Sequence, residues 1–583
     1  MAYGGGGIAV SWPLAARLAR VLDSCLLRYP HLYGSDARIH ACLAELGVEL
    51  THEPGFHQTV GFLPNLTPKS PNTHSHAQPQ PPPPLAAARH GADAAVSPAP
   101  PSPPTPPLPP SPLAPPPPPH PPSPPLPAAS PPRHRHRHAA RRRAGAAASG
   151  VVFGAQGDDD DDAGARGVRH RLLPPHAAAP PPAAPPSGSA RPARAFLFLD
   201  GPAPAAAAAS EPLPPNLRFC VSSTDASRFP YTHPRGLPSA VRVARIAKEL
   251  LQLDDHHHAT RPPPRWLVLA DDDTAFVLPN LLHTLSRYDW REPWYLGARS
   301  ESAAQNAWHG FAMAYGGGGI AVSWPLAARL ARVLDSCLLR YPHLYGSDAR
   351  IHACLAELGV ELTHEPGFHQ IDLHGDISGL LRAHPLTPLV SLHHLDHVYP
   401  LYPGMDRATA VKHFFRAANA DPARILQQTV CYDHSKAITV SIAWGYSVQV
   451  YKGNVLLPDL LAVQKTFVPW KRGRNATDVF MFDTKHYPRD ECKRAALFFL
   501  KSISSGEGKI KSDYTRQLPR KCSPNLIPLR NLHQIKVASE PLHLVPGKAL
   551  RRHCCDVVSS SSETNMDVNI RKCKEDELIA MHS

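Results

Sequence analysis

Three consecutive carboxylates, Asp271, Asp272 and Asp273, follow the apolar run Trp266-Leu-Val-Leu-Ala. Alternate residues of an extended segment face the same way, so Asp271 and Asp273 can converge. Two hard oxygen ligands suit Mg²⁺ or Mn²⁺ carrying a phosphate. Alone, the triplet also fits a solvated acidic turn. Asp348, in Tyr345-Gly-Ser-Asp348, falls in the first turn of an expected helix. There the helix dipole favours the ionised form, which suits a general base and is also an ordinary helix-start preference. The run Gly316 to Gly319 includes Gly317 and Gly318 and lets backbone approach a ligand closely, or simply makes a flexible loop. His369 follows the tight turn of Glu365-Pro-Gly-Phe and is read as a ligand or as a structural imidazole.

These residues need elements to position them. Trp266 to Leu269 reads as a short buried strand, and Pro279 opens a helix carrying Leu281, Leu282 and Leu285. Strand, acidic turn and helix is where an open α/β sheet places a ligand, at the carboxyl end of a strand. Further strands are expected at 195–200, 217–222 and 294–297, with a weak one near 150–154, and a helix at 239–251. Ser323 is expected to cap a helix with Leu326, Leu330, Leu334 and Leu338 at steps of four. Ser347 is expected to cap a second, with Ile351, Leu355 and Leu358 on one face and Gly359 at its end. Val390-Ser-Leu-His-His-Leu-Asp-His397 reads as a strand or loop with partly buried imidazoles. The fold class is α/β, a mixed sheet flanked by helices, with a small β-rich appendage after it that includes Thr439 to Tyr451.

The chain has 583 residues but 70 prolines, most of them between Pro64 and Pro215. That stretch cannot bury enough apolar surface to form a core and reads as disordered. Residues Met1–Gln58 recur unchanged as Met313–Gln370. Identity on this scale is a duplication rather than a structural repeat, and the second copy sits in the continuous α/β pattern. The expected organisation is a duplicated fragment at 1–58 that is not an independent domain, low complexity at 59–194, a core at 195–400, the appendage at 401–505 and an irregular basic tail at 506–583. The net charge of +13 permits anionic partners, including a diphosphate substrate. Eleven scattered cysteines without a CxxC pair argue against zinc and fit either disulfides or buried thiols. No run of about 18 apolar residues occurs, and no signal peptide is visible. Asn65-Leu-Thr and Asn475-Ala-Thr are glycosylation acceptors if the chain enters the lumen.

Together these segments resemble the Fringe-related β3-glycosyltransferases of glycosyltransferase family 31, most of all a plant family of Fringe-like proteins. The resemblance rests on Leu267-Val-Leu-Ala-Asp-Asp-Asp-Thr-Ala-Phe276, Met313-Ala-Tyr-Gly-Gly-Gly-Gly, Leu344-Tyr-Gly-Ser-Asp348, Glu365-Pro-Gly-Phe-His369 and His384-Pro-Leu-Thr-Pro-Leu-Val-Ser-Leu-His-His-Leu395. It covers roughly residues 194–505. It implies a GT-A fold and an inverting, Mn²⁺-dependent hexosyltransferase that uses a UDP-sugar donor and a glycan or glycoprotein acceptor. By resemblance Asp271 and Asp273 form the DxD element, with Asp272 between them and Gly317 and Gly318 at the donor. His369 completes the metal shell and Asp348 is the general base. The family implies a Golgi membrane or lumenal location with a membrane anchor, which is not visible in this sequence, and no nucleic-acid partner. Gly154 to Arg191 departs from the family's first nucleotide-side strand and helix. The alternative is a catalytically inactive Fringe-like relative that binds carbohydrate or protein.

Overall fold

The computed structural model describes residues 7–53, 148–155, 194–199, 217–222, 225–234, 239–255, 264–470, 479–558 and 564–581. Met1–Thr59 and Ala144–Ser583 form one compact body. Residues 60–143 lie outside the described residues, as do the Asp158–Asp162 run and Asn475–Thr477, and with them the expectations that fall on those stretches.

The site-bearing half is a mixed α/β layer structure. Its strands are β1 (Ala148–Ala155), β2 (Arg194–Leu199), β3 (Leu217–Val221), β4 (Trp266–Ala270), β5 (Ala275–Phe276), β6 (Tyr295–Gly297), β7 (Ile320–Ser323), β8 (Leu362–His364), β9 (Leu373–Gly375) and β10 (Ser391–Leu392). Seven of them form one sheet in the order β3-β2-β1-β4-β7-β6-β8. β2 and β3 are parallel, as are β6 and β8, and the other neighbours are antiparallel. β4 alternates faces as an extended chain must. Leu267 and Leu269 join one apolar cluster, and Trp266 and Val268 join the other.

The first cluster lies under three helices of the second half of the duplication and its neighbour. These are α3 (Ser239–Asp255), α6 (Trp324–Arg340) and α7 (Gly346–Glu357), numbered after α1 (Trp12–Arg28), α2 (Gly34–Glu45), α4 (Leu278–Ser286) and α5 (Ala303–His309). The step-of-four leucines Leu326, Leu330, Leu334 and Leu338 are all buried there. Cys337–Cys354 ties α6 to α7, and Asp335 of α6 meets Arg245 at 2.7 Å and Lys248 at 2.8 Å on α3. The other sheet face is covered by α4 through Leu278, Leu281 and Leu285.

Two cap expectations are corrected. Ser323 does occupy the position before α6, but its oxygen accepts from the Trp294 amide at 3.0 Å and its hydroxyl donates to the Glu292 carbonyl at 2.6 Å, with no bond from the helix end. α7 starts two residues earlier than expected, with Tyr345 at its cap and Ser347 inside it.

The C-terminal half differs more. An eight-stranded sheet runs from Gln428–Asp433 at one edge to Cys554–Val558 at the other. Four of its strands, Lys509–Gln517, Gln534–Ser539, Cys554–Val558 and Asn565–Arg571, fall in the expected irregular tail. The appendage is therefore neither small nor finished by residue 505. Ile510, Tyr514, Ile535, Val537, Met566, Val568 and Ile570 point into its core while lysines and other polar residues take the wet face. One-face burial leaves such strands looking merely basic in composition.

Ten of the eleven cysteines form five disulfides, and Cys220 is free. The duplicated fragment folds as the same hairpin in both places. α1 and α2 are joined by Cys25–Cys42. This first copy packs on the C-terminal sheet, where Arg551 donates to the Leu46 carbonyl at 2.8 Å and Arg552 pairs with Glu49.

Candidate active site

The acidic triplet leaves the carboxyl end of β4, the central strand of the seven. Thr274 anchors the turn, donating its hydroxyl to the Gly317 carbonyl at 2.7 Å. The chain then pairs through β5 with β10, Phe276 opposite Ser391 and Ala275 opposite Leu392. That register carries the next residue of the second strand, His393, straight to the triplet. Its Nε2 lies 2.8 Å from Asp273 Oδ1 and 3.6 Å from Asp271 Oδ2.

His393 Nδ1 is 3.0 Å from the Gln370 carbonyl, which can only accept, so Nδ1 carries a hydrogen and Nε2 is the atom offered to the carboxylates. This is how a metal-binding imidazole is usually oriented. Burial alone would lower the His393 imidazole, but the Asp273 hydrogen bond and the two carboxylate charges outweigh it and hold it up at about 9. His394 also faces the cluster, and ligand atoms of Asp273, His393 and His394 lie within 4.8 Å of one another. With Asp271 Oδ2 3.6 Å from His393 Nε2, the carboxylate oxygens and imidazole nitrogens here are donors that fit Mn²⁺.

His369, expected as the ligand histidine, has both ring nitrogens within hydrogen-bond reach of protein groups. Its Nδ1 is 3.1 Å from Glu301 Oε1 and its Nε2 is 3.1 Å from His384 Nε2. His384 faces the Pro385 carbonyl through Nδ1, so its Nε2 accepts from His369. Burial holds His384 neutral, down at about 3. Both His369 nitrogens are thus occupied within the protein. Glu301 also accepts from the Ile371 amide at 2.7 Å, so residues 369–371 are pinned at both ends. Between them lies Gln370, whose carbonyl orients His393. His369 braces the ligand histidine from behind.

The glycine run meets protein before any ligand. Gly318 donates its amide to the Gln370 side chain at 2.8 Å, and its carbonyl accepts from Ser391. A Cβ on Gly317 would overlap the His393 ring, so glycine is required there by packing against the imidazole. Gly319 has φ +108°, a conformation that side-chain-bearing residues rarely adopt.

Asp348 faces this group from the first turn of α7. The Ala349 amide donates to its Oδ1 at 2.8 Å and the Gly316 amide reaches Oδ2 at 3.4 Å. Loss of water pushes its carboxyl up to about 6; the Ala349 amide offsets part of that, and the charge of Asp271 adds to it. A cleft between the end of β4 and the start of α7 is lined by Asp271, Gly316, Ser347 and Ile351, with Val243 and Ile246 from α3. Asp271 thus lines the cleft and its charge acts on Asp348 at the start of α7, while Asp273 stands with Asp271 at the His393 ring and Asp272 is exposed on the turn. The structure adds His393, which the sequence reading left as a buried imidazole. The signal available was the layout: an apolar strand, Val390 to Leu392, ending in ligand-type side chains just as β4 ends in aspartates.

A stretch of 135 residues is 32% identical to the human protein named beta-1,3-glucosyltransferase, covering 23% of this chain and 26% of that one. A stretch of 105 residues is 37% identical to the mouse protein of the same name, covering 18% and 20%. The chain thus spans about a quarter or less of the length of these curated relatives. A family model matches residues 1–62 and 305–555, both copies of the hairpin and most of the C-terminal sheet, which is more than half of the chain. On that match the chain belongs to the family described as "Protein of unknown function, DUF604".

Proposed function

We propose that this protein is an inverting, divalent-metal-dependent glycosyltransferase of GT-A type, related to the Fringe-like enzymes, that moves a hexose from a UDP-sugar to a hydroxyl of a glycan or glycoprotein. The observation that carries the reading is the approach of Asp271 and Asp273 to His393, with Asp271 also lining the cleft at the start of α7 and acting by its charge on Asp348. The likeness to proteins named beta-1,3-glucosyltransferase supports it.

Asp271, Asp273 and His393 would hold Mn²⁺ or Mg²⁺, which when bound neutralises the diphosphate leaving group, a contribution of several kcal/mol. His393 Nε2 gives up its proton to serve as a ligand. Asp348 accepts the proton of the acceptor hydroxyl while that oxygen attacks the anomeric carbon. The bond to UDP breaks on the opposite face, in one displacement with inversion. General-base action of this kind is worth about 10²–10⁴ in rate. Five disulfides suit an oxidising compartment, in keeping with a Golgi membrane or lumenal location. No helix among the described residues is long and apolar enough to cross a membrane.

The test is UDP release from a panel of UDP-sugars, with and without Mn²⁺. Turnover that needs Mn²⁺ and is lost in Asp273→Ala and Asp348→Ala, with circular dichroism unchanged, supports the assignment. Unaltered turnover in both variants rejects it.

A further inference from the structure

Successive residues of an extended strand point to opposite faces, so His393 and His394, which follow β10, should turn their rings apart. Instead the two ring centroids lie 3.7 Å apart, and ligand atoms of both stand within 4.8 Å of an Asp273 oxygen. The backbone at His394 has φ +54°, in the left-handed region that residues with side chains seldom occupy. Such a conformation persists only where the surroundings hold it, and it gathers at functional sites.

What holds His394 comes from the C-terminal half. The short strand Phe467–Pro469 pairs with β9, Val468 opposite His374 and Pro469 opposite Leu373, and the Trp470 amide donates to the Asp372 carbonyl at 3.1 Å. Phe467 is buried in the same apolar cluster as the strands of the eight-stranded sheet, which anchors this segment from that side. Trp470 then lies flat on two imidazoles. His374 and His394 are each 4.3 Å from its ring, with planes 15° and 12° from parallel. His397 meets the same indole at 5.2 Å and 77°. His394 Nδ1 donates to the Ile371 carbonyl at 3.3 Å, which settles the tautomer, since a carbonyl only accepts. The stack on Trp470 settles the tilt of the ring.

We infer that Trp470 is a positioning residue of the metal centre. Its stack fixes the His394 ring beside His393, so the C-terminal half completes a site that the α/β half begins. A ring already in place loses no rotational freedom when an ion arrives, and groups that orient a ligand change metal affinity by about 10–100-fold. The inference rests on the proposed reading of Asp271, Asp273 and His393 as metal ligands, and it touches no step of sugar transfer.

The test follows Mn²⁺ alone on the full chain, with no UDP-sugar present. Binding is read from the electron paramagnetic resonance signal of free Mn²⁺. Trp470→Ala should weaken it about 10–100-fold. Trp470→Phe, which keeps a flat ring on His394, should restore most of the loss. His374→Ala, which removes one partner of the indole, should weaken binding by a smaller factor, and it carries the same test if the alanine variant at Trp470 does not fold. A second measurement belongs to Trp470 alone. Bound Mn²⁺ is paramagnetic and quenches a nearby indole, so the drop in emission at saturation should shrink in Trp470→Phe. Trp12→Phe, which alters a ring 83% exposed on α1, should leave that drop unchanged. Unchanged Mn²⁺ affinity in the folded Trp470→Ala chain, or in His374→Ala where it stands in, overturns the inference. So does an undiminished drop in Trp470→Phe. A lower thermal midpoint with unchanged affinity overturns it too, since that is all a purely structural role requires. A wild-type chain that takes up no Mn²⁺ at millimolar concentration overturns the metal reading and this inference together. Absence of UDP release from a chain that binds Mn²⁺ as expected rejects the transferase reading alone.

Discussion

Asp348 sets the pH response of the proposed reaction. A base works only when ionised, and loss of water raises this carboxyl to about 6. Activity measured as kcat/KM should therefore be full above about pH 6 and fall with protonation below it, about tenfold per pH unit. A profile flat down to pH 4.5 would remove Asp348 from the base role. Gly317 tests the other half of the site. Gly317→Ala must push the His393 ring aside, so Mn²⁺ affinity measured by calorimetry should drop about 10- to 100-fold, as when groups that orient a ligand are lost, while the thermal midpoint moves little. The placement of Asp271 and Asp273 at the end of β4 and of Asp348 in the first turn of α7 was legible in the sequence because short, strongly patterned elements adjoin them. His393 was not, since nothing local distinguishes an imidazole aimed at a carboxylate from one packed in a core. Its aim comes from the pairing of Ser391 with Phe276, across more than a hundred residues.

At the scale of elements, α6 and α7 are held by one covalent tie as well as by packing. Cys337→Ala with Cys354→Ala opens a closure across a sequence separation of 17. The chain-entropy account gives a loss of about 2–4 kcal/mol for a loop of that size. Denaturant unfolding should show it as a lower midpoint, and Mn²⁺ binding should survive, since neither sulfur touches the ligand group. The leucine periodicity made α6 plain in advance, and Ile351 and Leu355 did the same for α7. The cap hydrogen bond expected of Ser323 was wrong for a tertiary reason. The Trp294 amide, just before strand β6, donates to the same oxygen that a cap would use. The strands beyond Gly506 were missed because alternation is weak when one strand face carries lysines and the other only two or three apolar residues.

Across the whole molecule, the first copy of the hairpin contributes to the C-terminal sheet rather than to the site. Arg552 is 2% exposed and pairs with Glu49, while its other terminal nitrogen donates to the Gln428 carbonyl at 2.7 Å. Glu49→Ala strands a buried guanidinium, and removing one partner of such a pair is costly. The expected loss is about 1–3 kcal/mol, less than for a fully buried partner because Glu49 is itself 30% exposed. Thermal unfolding should register it with the metal site intact, and an unchanged midpoint would show that the docking carries no weight. Composition gave no hint of this contact, because the two partners lie at opposite ends of the chain.

The duplication means that this protein contains its own control experiment. Identical residues make identical helices and the same crosslink at two addresses, yet Leu330 is sealed in the core while its counterpart Leu18 is only partly covered. Whatever an alanine at Leu18 does reports on the helix and its immediate partners, and whatever more the same change does at Leu330 reports on the surroundings. The difference between the two separates what a segment brings with it from what its neighbours supply, within one molecule and one measurement.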